Sequence, residues 1–405
     1  MAPRQQAAPP DSSGPLPLDG IRVIELGLFA VAPWASKQLA VLGAEVIKVE
    51  DPAGEPAHFV DPHINGTAAL YVSANLNKRH VTLDLKDPAG YQRALDLIRT
   101  ADVFMENMRP GTAARLGLGY DELSAFNPRL VYASASAYGN SGRMADEAGA
   151  DPFVQAFCGW CSVTGSPGTD GEMLRYMAHL DITTASMMAE AILMALLSRE
   201  HTGRGQKIQI SMLAAAMALQ STRLAEYHAT GVQPPPRGSA SSTHAPDQAF
   251  RCQDGKYVFV SVLSEGQWAR FCELLRVKGL AEDPRFATNR ARLAHLESLQ
   301  DVLRPAFGAK PLTWWLLQFR RGAIPAGRAL SFEDVQSDRQ VLANRYVQEL
   351  DTPHWGRVLV EGLPWTFGRT PARSYRSGGL KGEHTDEVLA ALGASENGVH
   401  DGCQQ

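Results

Sequence analysis

IRVIELGLFAVAPWASKQLAVLGAEVIKVE, residues Ile21–Glu50, is the stretch whose reading decides the fold. IRVIEL reads as a strand, and APWASKQLAVLGA as a helix with Pro33 near its first turn, where a missing N–H breaks no helical hydrogen bond. EVIKVE reads as the next strand. Working outward, HVTLDL is a further strand candidate, and Asp87-Pro88 caps a helix over AGYQRALDLIRTA. DVFMEN follows as a strand, a helical pair brackets Tyr120-Asp121-Glu122, and LVYASASAYG is a strand again. Strands alternating with helices of this length predict an α/β protein with a doubly wound, Rossmann-like parallel sheet.

The large α/β domain is expected over residues 19–230, with a leader before it. Residues 1–18, MAPRQQAAPPDSSGPLPL, are rich in Pro, Ala and Ser and have no apolar core of a signal peptide or membrane span. They read as disordered. GVQPPPRGSASSTHAP opens a linker over 231–248. A smaller α+β domain is expected over 249–330, starting with FRCQDGKYVFVSV as a hairpin that turns at Asp254-Gly255. Trp314-Trp315 reads as a pair of core aromatics. Residues 331–405 form a C-terminal segment returning to the large domain and closing with GEHTDEVLAALG, a capped helix. No internal repeat is present.

The 405 residues carry 39 basic and 43 acidic side chains, well mixed, for a net charge of −4. No basic stripe suits nucleic acid and no polybasic segment suits a membrane surface. Five cysteines, Cys158, Cys161, Cys252, Cys272 and Cys403, are too few and too odd for a disulfide framework. They fit a reducing compartment, and the expected location is the cytoplasm. Cys158-Gly-Trp-Cys161 has redox-motif spacing, but it lies in an apolar run rather than between a strand and a helix of a small βαβ unit. Histidine partners at zinc-ligand spacing are missing, so no metal is expected.

The first strand–helix turn, ELGLFAVAPW, lacks G-x-G-x-x-G, and Glu50 alone is weak support for a nicotinamide site. P-loop, serine-hydrolase and zinc-protease motifs are absent. Basic residues do stand after strand-like segments: Asn77-Lys78-Arg79, Arg109-Pro110-Gly111, and Arg115. Open α/β sheets bind ligands at such positions, and three of them suit an anionic ligand with spread-out phosphates. Separately, AHLDITTASMMAEAILMALLSREHTGRGQKIQIS, Ala178–Ser211, places Asp181 at the start of a long apolar helix. There it can serve as a cap, and the helix dipole holds it ionised, as a nucleophile requires.

LDGIRVIELG, LAVLGAEVIKVE, NLNKRHVTLDLK, ADVFMENMRPGTAARLGLGYDEL, NPRLVYASASAYG, REHTGRGQKIQIS and GEHTDEVLAALG occur in this order between Leu18 and Gly393. With them the chain resembles the class III coenzyme A transferases, a family that includes formyl-CoA transferase, carnitine CoA-transferase and the α-methylacyl-CoA racemases. The resemblance implies a two-domain fold in an interlocked homodimer and an acyl-CoA and a small carboxylic acid as ligands. It implies Asp181 as the nucleophile, with coenzyme A as substrate and no other cofactor. It further implies CoA-phosphate contacts from Lys78 and Arg115, the nucleotide against the backbone of Phe29, Ala30 and Val31, and Asn107 and Arg109 close by. A basic residue of formyl-CoA transferase is replaced by Asp51. The racemases carry a His-Asp pair where this chain has Ala150-Asp151, so racemization lacks its imidazole; His179 is the nearest substitute. A CoA-binding protein without catalysis is the remaining alternative. The pocket is expected near Asp181, the loop Gly139–Asp151, the linker Gly231–Asp247 and a second subunit. The linker lacks the glycine run of formyl-CoA transferase, which argues against formyl/oxalate specificity and leaves the acids themselves unread.

Overall fold

The computed structural model describes residues 14–166, 176–370 and 372–400; the first thirteen residues of the expected leader and Cys403 lie outside them. The chain divides into two compact units. One comprises residues 14–160, 176–229 and 342–400, and the other residues 161–166 and 230–341, among those described.

The first unit is built on six strands: β1 (Arg22–Leu26), β2 (Glu45–Glu50), β3 (Arg79–Thr82), β4 (Val103–Glu106), β5 (Val131–Ser136) and β6 (Lys207–Ser211). Their order is β3-β2-β1-β4-β5-β6 and every neighbouring pair is parallel. The chain steps outward from β1 to β3, then crosses back to β4 on the other side of β1. This reversal opens a crevice beyond the carboxyl ends of β1 and β4, the place where open α/β sheets bind ligands.

HVTLDL yields a shorter strand than its sequence suggests. The chain turns at Asp84, whose side chain accepts from the Lys86 N–H at 2.9 Å while its carbonyl accepts from Asp87 at 3.2 Å. Asp87 then caps the next helix, accepting from Gly90 N–H at 3.0 Å. Because β3 is an edge strand, its outward N–H groups need partners. His384 Nδ1 accepts from His80 N–H at 3.1 Å and Thr385 Oγ1 from Thr82 N–H at 3.0 Å, both just ahead of or opening the C-terminal helix Thr385–His400.

Helices α1 (Val31–Val41), α2 (Pro88–Arg99), α3 (Asp151–Phe157) and α4 (His179–Thr202) surround the sheet. On one face, Val31, Ala32, Ala35 and Leu39 of α1 share a core with Leu180, Ala185, Met188 and Ile192 of α4. Alanines on both helices let the backbones approach, and each large apolar side chain buried there contributes roughly 1.5–3 kcal/mol. Among the described residues, α4 is the one helix long and apolar enough to cross a membrane; here one part of that apolar surface feeds the core, while Ile182, Met194 and Leu197 stay exposed. On the other face Ile24, Ile47 and Phe104 of the sheet pack with Leu97 and Ile98 of α2 and with Val388.

The second unit has an antiparallel sheet, β7 (Asp247–Arg251), β8 (Tyr257–Ser261) and β9 (Ala326–Arg328), in the order β9-β8-β7. The hairpin turns at Asp254-Gly255 as expected, with Gly255 at φ 77°. Helices α5 (Glu265–Leu275), α6 (Leu296–Gly308) and α7 (Leu312–Arg321) cover it. Phe250 stacks on Phe307 at 4.3 Å, and Trp315 is buried with its indole N–H donating to Phe307 O at 3.0 Å. Trp314 is only partly buried and packs edge-on against Trp315.

Candidate active site

At the carboxyl end of β1 the chain runs Gly27-Leu28-Phe29-Ala30 into α1. A Cβ at Gly27 would stand 2.8 Å from both the Ala32 Cβ and a Glu25 carboxylate oxygen, so a side chain there would force its neighbours to shift. Phe29 has φ 57°, a left-handed conformation uncommon for a bulky residue. Asn107, one residue past β4, clips this turn. Its Oδ1 accepts from Leu28 N–H at 2.7 Å and its Nδ2 donates to Leu28 O at 2.8 Å. Asn107 therefore joins the two loops at the switch point. Ala30 and Val31 are buried, and no side chain caps α1. Pro33 is the third residue of the helix, in the first turn as read from sequence.

Arg109 and Arg115 are both exposed on the loop and one-turn helix after β4. Arg115 Nη2 donates to Thr112 Oγ1 at 2.8 Å. Beside them a cleft of about 220 Å³ opens across the ends of β1, β2 and β3, walled by Leu28, Val49, Leu83, Met108 and Leu116, with Asp51 and Lys86 on its rim. A more polar cavity of about 330 Å³ adjoins it and includes Glu106, Arg109, Tyr132 and Lys207. Burial pushes the Glu106 carboxyl above its ordinary range.

The structure gives Lys78 a different place from the one expected. It is 3% exposed, and its ammonium donates to Glu25 Oε2 at 2.8 Å, Pro33 O at 2.8 Å and Asn75 Oδ1 at 2.7 Å. All three donors are used, so in this structure it presents none to a phosphate. Lys48, also buried, pairs with Glu25 Oε1 at 3.0 Å and Glu55 Oε1 at 2.8 Å and donates to Gly27 O at 2.8 Å. Burial would raise the Glu25 pKa, but Lys48 and Lys78 overcome it and hold the carboxyl at about 2. Burial brings Lys78 down to about 8 against the pull of Glu25. Glu50 accepts from Tyr71 Oη at 2.6 Å and faces His58 Nε2 at 3.0 Å, so it is part of this charge cluster. The signal missed in the sequence was Glu25, Lys48 and Glu50 inside the apolar strand runs IRVIEL and EVIKVE.

The long helix also differs from expectation in its first turn. It begins at His179, after Ala178 in the left-handed conformation, and Asp181 is its third residue rather than its cap. Ala178 offers no side-chain acceptor, so the unpaired first-turn N–H groups need one from elsewhere. Asp151, at the start of α3 and buried, supplies it: its Oδ2 accepts from Leu180 N–H at 2.8 Å and Asp181 N–H at 3.3 Å. Gln155 Nε2 donates both to Asp151 Oδ1 and, at 2.7 Å, to Tyr176 O, which fixes the capping carboxylate. Asp181 itself is partly buried. The His179 ring lies 5.0 Å from that of Trp160 and 6.1 Å from that of Tyr176.

Because α1 leaves the carboxyl end of β1 and α4 runs toward the start of β6, both helices open at the same edge of the sheet. Gln38 near the end of α1 reaches Ser186 of α4 at 3.4 Å, in keeping with this parallel course. Cys158 ends α3 and Cys161 lies in the one-turn helix Trp160–Val163, so neither follows a strand. Among the described residues no group of three or more His, Cys, Asp or Glu could hold a metal ion.

A doubly wound sheet with an open crevice at its switch point is the architecture of nucleotide- and coenzyme-binding α/β proteins. The chain belongs to CoA-transferase family III, whose model matches residues 18–385. It is 34% identical over 389 residues to succinate–glutarate CoA-transferase of Agrobacterium fabrum, spanning 93% of this chain and 96% of that one. It is 32% identical over 376 residues to succinyl-CoA:glutarate CoA-transferase of Mus musculus, spanning 92% and 86%. Its fold matches the crystal structure of a CAIB/BAIF family protein from Brucella suis with a TM-score of 0.84, at 30% identity over 94% of this chain and 100% of that one. The family resemblance read from the motifs holds, and the protein is a CoA-transferase.

Proposed function

We propose that the protein moves coenzyme A from an acyl-CoA to a short dicarboxylic acid through covalent intermediates on Asp181. The observation that carries this reading is the first turn of α4, where Asp151 caps the amides and Asp181 brings a second carboxylate to the positive end of the helix. An Asp181 oxygen attacks the thioester carbonyl and expels the CoA thiolate, giving a mixed anhydride. The thiolate attacks the aspartyl carbonyl and releases the donor acid, leaving an aspartyl-CoA thioester. The acceptor carboxylate displaces the thiolate, forming a second anhydride, and the thiolate then takes the acceptor acyl group and restores Asp181. No electrons are exchanged, and each step has a good leaving group.

For the coenzyme we assign the backbone of Phe29, Ala30 and Val31 and the exposed guanidinium groups of Arg109 and Arg115, with Asn107 and Lys78 holding the turn rather than the phosphates. The dicarboxylate class is supported by the relatives, which are named for succinate and glutarate. Exposed Ile182, Met194 and Leu197 on α4 support a homodimer, since a second copy would cover them. Four cysteines among the described residues, none of them in a disulfide, fit the cytoplasm. Ala150, standing where the racemases carry an imidazole, weighs against proton transfer.

Incubation with acyl-CoA and hydroxylamine should convert Asp181 to a hydroxamate, located by mass spectrometry, and Asp181→Ala should stop exchange. Full exchange by the alanine variant would overturn the nucleophile. A screen of succinate, glutarate, carnitine-like and aromatic acids should show the dicarboxylates ahead; equal or better rates with monocarboxylates would overturn the acceptor class.

A further inference from the structure

We propose that Glu55 is a positioning residue of the coenzyme site, holding Phe29 in the left-handed backbone conformation against which the nucleotide lies. The inference rests on the reading above that the Phe29–Val31 turn receives the nucleotide of coenzyme A. Glu55 lies beyond β2 and is 3% exposed. Its Oε2 accepts from Phe29 N–H at 2.6 Å, and its Oε1 is paired with Lys48 at 2.8 Å. Lys48 in turn donates to Gly27 O at 2.8 Å. With Asn107 on both polar groups of Leu28, the turn is gripped at Gly27, Leu28 and Phe29 by buried or part-buried side chains.

A bulky residue does not settle at φ 57° unless its surroundings over-determine it. Here the determining contact is a charge-assisted hydrogen bond, about twice as strong as a neutral one. Apolar residues would fill this volume at lower cost than buried lysines and glutamates, because removing charges from water is expensive. What apolar residues cannot do is accept the Phe29 N–H. The carboxylate therefore shapes the turn before the ligand arrives, so the ordering cost is not charged against binding. Glu55 acts through the turn and not on the acyl group, which sets the form of the test.

Two donors with the same acyl group separate the roles: the full acyl-CoA, and the acyl-pantetheine that lacks the nucleotide. Glu55→Ala should raise KM for acyl-CoA about tenfold with kcat within about twofold, and leave KM for acyl-pantetheine unchanged. Glu55→Gln keeps an oxygen for Phe29 N–H and should show a smaller rise confined to the same donor. Equal effects on both donors, no effect on either, or a loss in kcat alone would overturn the proposal. Calorimetric binding of free CoA and of pantetheine to wild type and Glu55→Gln repeats the comparison without catalysis. It still reads the positioning role if wild type shows no exchange, a result that would instead overturn the proposed reaction. Unchanged CoA affinity in Glu55→Gln, together with unfolding of Glu55→Ala, would make Glu55 a structural residue only and also overturn the proposal.

Discussion

The helices α1 and α4 open at one edge of the sheet, yet their first turns are solved in opposite ways. No side chain caps α1, and beneath its entry turn lies a buried cluster of Glu25, Lys48, Glu50, Glu55 and Lys78. By contrast α4 is capped by a single carboxylate from another helix, Asp151, and carries Asp181 within the turn. The difference separates two uses of a helix end. Uncapped amides above a rigid turn remain available to an anionic ligand. Capped amides leave the ligand nothing, but they fix the place of Asp181, the proposed nucleophile, on a rigid helix.

If this contrast is right, the two ends should fail differently. The largest effect is expected from Lys48→Met, which leaves Glu25 with Lys78 alone and takes the lysine away from Glu50 and Glu55. Urea unfolding should show a loss of roughly 3–5 kcal/mol, since the broken pairs are fully buried. A loss under 1 kcal/mol would mean the cluster is dispensable.

Acid should attack the same end. The Glu25 pKa falls from 4.5 to about 2 on folding, so the unfolded chain binds the proton more readily. Its contribution, of order 3 kcal/mol, is present above pH 4.5 and lost as pH falls toward 2. Glu50 is shifted in the same direction and steepens the loss. Glu25→Gln should flatten this limb in acid titrations followed by circular dichroism; an unchanged slope would argue against the assignment.

At the other end, Asp151→Ala should cost about 1–2 kcal/mol, the scale of a lost cap, and lower kcat more than it raises KM for acyl-CoA. Asp151→Asn keeps an acceptor and should recover most of the stability. A rise in KM with kcat intact would place Asp151 in coenzyme binding and blur the contrast. The smallest effects belong to the exposed guanidinium groups. Arg109→Ala and Arg115→Ala should raise KM for acyl-CoA a few-fold, less so at high salt, while stability stays within about 0.5 kcal/mol. An effect independent of salt would exclude a phosphate contact.

The alternation of strand and helix was legible because each βα step announces itself locally, whereas the order of strands across the sheet, and with it the switch point, came only from the fold. The burial of Lys78 was not legible, for a physical reason. In a linear string, a lysine after a loop looks the same whether it meets solvent or is folded beneath a turn against Glu25, fifty-three residues away. Asp181 shows the same limit: Asp is a good cap, so a capping role was the natural reading, yet the real cap lies thirty residues upstream.

By itself, the sequence determined the period of strand and helix, the family, and the chemistry its acidic residue can supply, because these depend on neighbours along the chain and on motif order. Which charges are buried, which amides are already taken, and which carboxylate caps the long helix were decided only by the tertiary structure. Those properties depend on who meets whom across the fold, and a hydrogen-bond donor can be spent only once it has met its acceptor.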